Sequence, residues 1–207
     1  MSIDYRATTL WRTAFNSRGL KKSQSFARNK LLTALNKLDE RVTALLGKIE
    51  ADCRGLTIHD ISHVHQLWDV ASEICGRRYP LNPLEGFVLG AAFLVHDSGL
   101  TAAAYPNGLT GLRQTNYYRD RVAALVRATS KEPPDNISLD SPSSEIAQRA
   151  LFDTLRAIHA KRAETLLAES TLHPLTGQPY SFFPEPDLYL DCGQIIGQIA
   201  ASHHWNI

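Results

Sequence analysis

The sequence lacks any apolar run of about 18 residues, so no transmembrane helix is expected. Its start, MSIDYRATTLWR, lacks the apolar core of a secretion signal. It has only three cysteines, Cys53, Cys75 and Cys192, and no CxxC. An odd, scattered set excludes a disulfide framework and a cysteine zinc site. These thiols read as small buried hydrophobes in a reducing cytoplasm. No excess of one charge sign exists either, with 22 Lys+Arg against 21 Asp+Glu. That disfavours a protein that coats nucleic acid. A P-loop, a dinucleotide fingerprint and a Ser-His-Asp or Cys-His nucleophile context are also missing.

What is present suits one soluble, all-α domain. A length of 207 residues favours a single core, and the 43% apolar share is ordinary. Helical periodicity dominates, and no strand pattern stands out. A short helix is expected over roughly 5–17. Leu31, Leu35, Leu38, Val42, Leu45 and Ile49 then form an a/d stripe on one long helix that ends near Gly55. The stripe can pack on its own core or serve as a homodimer seam through 31–49. Seven basic residues and no acidic one lie between Tyr5 and Lys30 (Arg6, Arg12, Arg18, Lys21, Lys22, Arg28 and Lys30). This bias is either a solvated face or an anion-attracting arm beside a phosphate site.

Further on, Asp60 is placed to cap a helix that runs to Gly76. Asn82-Pro83-Leu84-Glu85 combines a cap, a first-turn proline and a capping-box glutamate. The helix it opens, Leu84–His96, is apolar all round and should be the central buried one. Gly86 and Gly90 in it allow close helix approach. Residues 98–117 read as a loop with partial helix, and Tyr117–Thr129 as helix. Lys131–Pro142 and His173–Pro186 read as loops. A long helix from Ser141-Pro142 to about Glu169 and a last one over Asp187–His204 complete the pattern.

The eight histidines carry the functional signal. His59-Asp60 and His96-Asp97 are His-Asp dipeptides, a pairing that chance also supplies, so its setting has to decide. His96-Asp97 closes the most apolar helix, where two ionisable groups are costly unless paired or metal-bound. Neighbours on a helix diverge, and only the turn that Ser98-Gly99 offers lets both reach one ion. His63, His159 and His203-His204 also lie on or beside apolar helix faces. Each alone suits a satisfied core histidine, but together they fit a shared metal centre. Imidazole with carboxylate suits Fe, Mn, Co, Ni or Zn, one ion or two.

The order His63, His96-Asp97, His159, His203 resembles the HD superfamily of metal-dependent phosphohydrolases. LTIHDISHVHQL is similar to its T-x-H-G-I-x-H-S-x-x-V segment, with His63 as the first ligand. LEGFVLGAAFLVHDSGL resembles its apolar helix followed by H-D-I-G. LRAIHAKRAETLL resembles the R-x-x-H-A-x-R-A-E segment of the branch often fused to a GHKL-type ATPase, and IAASHHW the segment of a later ligand histidine. The resemblance spans roughly residues 56–204. It implies an HD-type helical bundle over 56–207, with 1–55 as an N-terminal helical extension packed on it. His59 matches a pattern histidine outside the innermost shell, and Asp60 stands where Gly is usual. Ser98 stands where Ile is common.

The resemblance further implies His63, His96, Asp97, His159 and His203 as metal ligands, and Asp97 and His159 as catalytic residues. The metal acidifies a water that attacks phosphorus in a nucleotide or another phosphoester. Arg156 and Arg162, at i−3 and i+3 from His159, are candidates for the substrate phosphate. Family members carry one more Asp on a helix after the last histidine, whereas this chain runs from His204 to Trp205-Asn206-Ile207. Asp187 and Asp191 precede His203 on its own helix and are poor substitutes. The expectation is an N-terminal part of a longer protein, with its last ligand helix and an ATPase domain beyond residue 207. The alternative to an enzyme is a regulatory module that binds metal or nucleotide and signals to that ATPase domain.

Overall fold

A computed structural model describes residues 4–16, 18–56, 59–76, 78–130, 140–168, 170–172, 176–183 and 185–204. Among them the fold is all-α, with one small hairpin. The helices are α1 (Thr9–Ala14), α2 (Lys22–Leu46), α3 (Ile49–Asp52), α4 (Ile61–Cys75), α5 (Pro83–Val95), α6 (Gly108–Arg113), α7 (Asn116–Ser130), α8 (Ser144–Leu166) and α9 (Pro186–Ala201). Short 3-10 turns cover Tyr5–Ala7, Ser98–Leu100, Ala102–Ala104 and Ser202–His204.

The central helix forms as its sequence dictates. The Asn82 side chain accepts hydrogen bonds from the Leu84 and Glu85 amides, and Glu85 returns one to the Asn82 amide. Such a cap is worth about 1 kcal/mol. Helix α5 packs against α2 on one side and α9 on another. Its backbone comes close to α4 at Gly90, where an added Cβ would lie 2.6 Å from the Trp68 ring. The expected small-residue approach is therefore real. Trp11 and Trp68 meet edge to face at 5.0 Å inside the same core.

Four expectations are corrected. The long helix breaks at Gly47, so Ile49 sits on the separate α3. All six stripe residues, Leu31, Leu35, Leu38, Val42, Leu45 and Ile49, are buried within this chain. The core already covers that stripe, which leaves no seam there for a homodimer. The first expected helix is instead a 3-10 turn and the short α1, joined at Thr8, whose hydroxyl accepts the Trp11 amide. Residues 170–181 hold two antiparallel strands, β1 (Ser170–Leu172) and β2 (Pro179–Ser181), which pair Thr171 with Tyr180. Three-residue strands carry no alternation for a sequence reading to detect.

Most of the Lys131–Pro142 loop, residues 173–175 and 184 of the second loop and the Trp205-Asn206-Ile207 end lie outside the described residues. No helix among the described residues is long and apolar enough to cross a membrane.

Candidate metal centre

Asp60 caps α4, accepting the Ser62 and His63 amides, and so sets His63 in the first turn of that helix. Helix α5 ends at Val95, with His96 as its C-cap. The backbone then leaves the helix at Asp97 and enters the Ser98–Leu100 turn. That exit swings the Asp97 carboxylate back toward its neighbour, so His96 Nε2 lies 2.9 Å from Asp97 Oδ2. The turn is pressed onto α8 at Gly99, where an added Cβ would meet the His159 carbonyl oxygen at 2.5 Å. A glycine is required there because any side chain would separate Asp97 from His159.

Asp97 is the hub of the site and is only 7% exposed. Its Oδ2 faces His96 and also the Nε2 atoms of His59 and His63, each at 3.9 Å. Its Oδ1 faces the Nε2 atoms of His159 and His203, each at 3.9 Å. Two donor groups result, with the ligand atoms of His63, His96 and Asp97 close together and those of His159, His203 and His204 close together. Either cluster could hold a metal ion.

A single backbone device aims three of the rings. His96 Nδ1 is 2.8 Å from the Phe93 carbonyl, His159 Nδ1 2.8 Å from Arg156, and His203 Nδ1 2.7 Å from Ala200. Each carbonyl lies three residues earlier, so each Nδ1 donates its proton; the Nε2 atoms of His159 and His203 are left as bare lone pairs, while that of His96 donates to the Asp97 carboxylate. This arrangement fixes tautomer and ring direction as outer-shell partners do in metal sites. His159 Nε2 and His203 Nε2 then face each other at 3.1 Å. Two lone pairs at that distance repel unless a proton or cation sits at them. Burial, ahead of nearby charges, pushes His159 down to about 4, so a proton is disfavoured at neutral pH. A cation that takes nitrogen and carboxylate donors fits.

The other ionisations agree. Burial opposes a charge on Asp97, but the His96 hydrogen bond and the charges of His96, His59 and His159 outweigh it and bring the carboxyl to about 2. His63 is lowered by burial and by His96. His203 is lowered mainly by burial. His96 is raised, because its bond to Asp97 overcomes burial.

The cluster lines a cavity of about 600 Å³, with Leu67, Phe93 and Ile199 as apolar wall and Arg156 on its rim. This volume suits a small-molecule ligand. All five histidine and aspartate positions singled out in the sequence meet here, as does Arg156. Arg162 does not. It is 6% exposed, its Nε donates to the Ala104 carbonyl, and its guanidinium lies 5.6 Å from the Tyr105 ring centre. It does not line the cavity and instead ties α8 to the Ala102–Ala104 turn.

Two further residues join the cluster. His59, expected outside the inner shell, is as near to Asp97 as His63 is, and their rings are 5.6 Å apart. Its i,i+4 relation to His63 was the available signal. His204 stacks edge-on against His159 at 4.5 Å. Its place next to His203 hinted at this, but on a regular helix adjacent residues diverge, and only the 3-10 turn after α9 brings both rings in.

No curated protein and no solved structure matches the chain. The family model described as HD-CE matches residues 51–207, a span that takes in every histidine of the cluster. That span is well over half of the sequence, and the chain belongs to the HD-CE family.

Proposed function

We propose that the chain is a metal-dependent phosphohydrolase domain acting on a nucleotide or a related phosphoester. The observation that carries this reading is Asp97, which offers one carboxylate oxygen to each of two histidine groups. His63, His96, Asp97, His159 and His203 would hold the metal, with His59 and His204 beside them. A divalent ion bound there supplies Lewis acidity and acidifies a water for attack on phosphorus. Asp97 stays ionised at neutral pH and can accept a hydrogen bond from that water at a free lone pair. The Nδ1 bonds to backbone carbonyls keep the imidazoles from turning away during turnover. Arg156 supplies positive charge at the cavity rim for a substrate phosphate. Phe93, Leu67 and Ile199 form an apolar part of the lining and give an apolar group, such as a base, a place to lie.

The second reading is a regulatory module that binds metal or nucleotide and signals to a C-terminal ATPase domain. It draws support from the donor set, since the two groups contain one carboxylate, Asp97, among the described residues. The deciding experiment is elemental analysis of the purified chain and of a His96→Ala/Asp97→Ala variant, followed by a phosphoester screen. Near-stoichiometric Fe, Mn, Co, Ni or Zn that vanishes in the variant, with turnover, supports the enzyme. Metal without turnover, also in a longer chain, supports the regulatory module. No metal after reconstitution overturns both.

A further inference from the structure

The basic arm near the N-terminus does not reach the metal cavity. It folds into a pocket of its own, of about 560 Å³, between the Tyr5–Ala7 turn, α1 and the first half of α2. Arg6, Arg12, Arg18 and Arg28 line it, and Trp11 and Phe15 form its floor. It shares no lining residue with the histidine cavity. No acidic residue lines it, and among the described residues no carboxylate pairs with any of the four arginines.

Two of these guanidiniums are set in place. Arg28 Nε donates to the Phe15 carbonyl at 2.7 Å and its Nη1 to Asn29 at 2.8 Å. Arg6 Nη2 donates to Asn36 Oδ1 at 3.0 Å. Arg12 and Arg18 are exposed, and among the described residues their head groups have no such anchor. Four like charges around one concavity repel each other and weaken the fold unless an anion offsets them. Guanidinium is also the side chain best shaped for bidentate contact with phosphate oxygens. An extended nucleic-acid track would need a wider basic surface, and the whole chain carries a net charge of only +1.

We propose that this pocket is a second ligand site, which takes a small molecule bearing linked phosphates. Arg28 and Arg6 form its preset part, and Arg12 and Arg18 close on the anion. The bulk of its affinity comes from charge-assisted hydrogen bonds.

The test is isothermal titration of the metal-stripped chain with inorganic tripolyphosphate at low salt, with orthophosphate and a short single-stranded oligonucleotide in parallel. Tripolyphosphate should saturate one site and bind at least about tenfold tighter than orthophosphate. Arg12→Ala/Arg18→Ala should weaken it by about tenfold or more, because each exposed arginine lost removes a charged donor. Circular dichroism should show that variant folded, since neither side chain holds a structural partner among the described residues. Arg54→Ala/Arg127→Ala, which removes the same charge elsewhere, should bind as the parent does, and so should His96→Ala/Asp97→Ala. Absence of saturable binding overturns the proposal. Equal weakening by Arg54→Ala/Arg127→Ala does so too, and so does loss in His96→Ala/Asp97→Ala, which would place the anion at the histidine cavity. Tighter binding of the oligonucleotide than of tripolyphosphate would also overturn it, in favour of a nucleic-acid surface.

Discussion

His159 and His203 point their Nε2 atoms at each other across 3.1 Å, although they lie 44 residues apart in the chain. Each donates its Nδ1 hydrogen to a backbone carbonyl, so with neutral rings this contact is a pair of opposed acceptors. A positive charge at it would relieve the repulsion. His159→Ala and His203→Ala should therefore each lower bound metal by tenfold or more at equal free metal, roughly the scale of an outer-shell or ligand loss. Elemental analysis after dialysis against a fixed metal buffer measures this. Full metal retention in both variants would refute the placement of an ion between α8 and the end of α9.

His59 lies as close to Asp97 as His63 does. His59→Ala should cost metal affinity on the same scale as His63→Ala, about 10–100-fold. Competition with a coloured chelator gives the two constants side by side. An unchanged constant for His59→Ala would return this residue to the outside of the cluster.

Metal should stabilise the fold, since the donors come from the segment before α4 and from α4, α5, α8 and the turn after α9. An ion that binds only the folded chain adds about 2.7 kcal/mol at 100 times its dissociation constant. For a chain of this length that raises Tm by several degrees. Differential scanning fluorimetry with and without Mn or Zn reads the shift, and His96→Ala/Asp97→Ala should abolish it.

Gly99 holds the Asp97 turn against α8 with no room for a methyl group. Gly99→Ala should destabilise the fold by about 1–3 kcal/mol, as overpacking does. It should also weaken metal binding by moving Asp97 off the His159–His203 pair. Denaturant titration and metal content together check it. A variant with parental stability and a full metal complement would show that the turn yields freely.

Tyr5 predicts an alkaline response. Burial, and then the charge of Asp39, push its phenol from 10.0 up to about 12. The hydroxyl donates to Asp39 Oδ2 at 3.0 Å, and the ring stacks on His65 at 4.1 Å. The raised pKa favours the neutral phenol in the folded state. Its contribution, on the order of 2 kcal/mol, is complete below pH 10 and fades as pH rises through about 12. Tyr5→Phe should flatten stability against pH in that window. Urea melts at a series of alkaline pH values test this, and an unchanged slope would contradict it.

Much of the fold was legible because local chemistry decided it. Asn82, Pro83 and Glu85 specify a helix start wherever they stand together, and Asp60 caps α4 for the same reason. The apolar character of Leu84–His96 required a central position, since no other place hides an all-round apolar helix. The short hairpin was not legible, because three paired residues leave no periodic trace.

The helical class, the caps and the candidate ligands could be read from residue type and near neighbours, on which each of them depends. The sequence also identified His96-Asp97 as a pair that must turn out of its helix. The remaining features follow from how the helices pack. Arg156 and Arg162 are equally spaced from His159, yet the first lies on the cavity rim and the second is buried on the Ala104 carbonyl. His59 joined the cluster, and the basic arm closed on a pocket away from it. Helical spacing sets the angle at which a side chain leaves its helix, but what lies at that angle is set by how the helices pack.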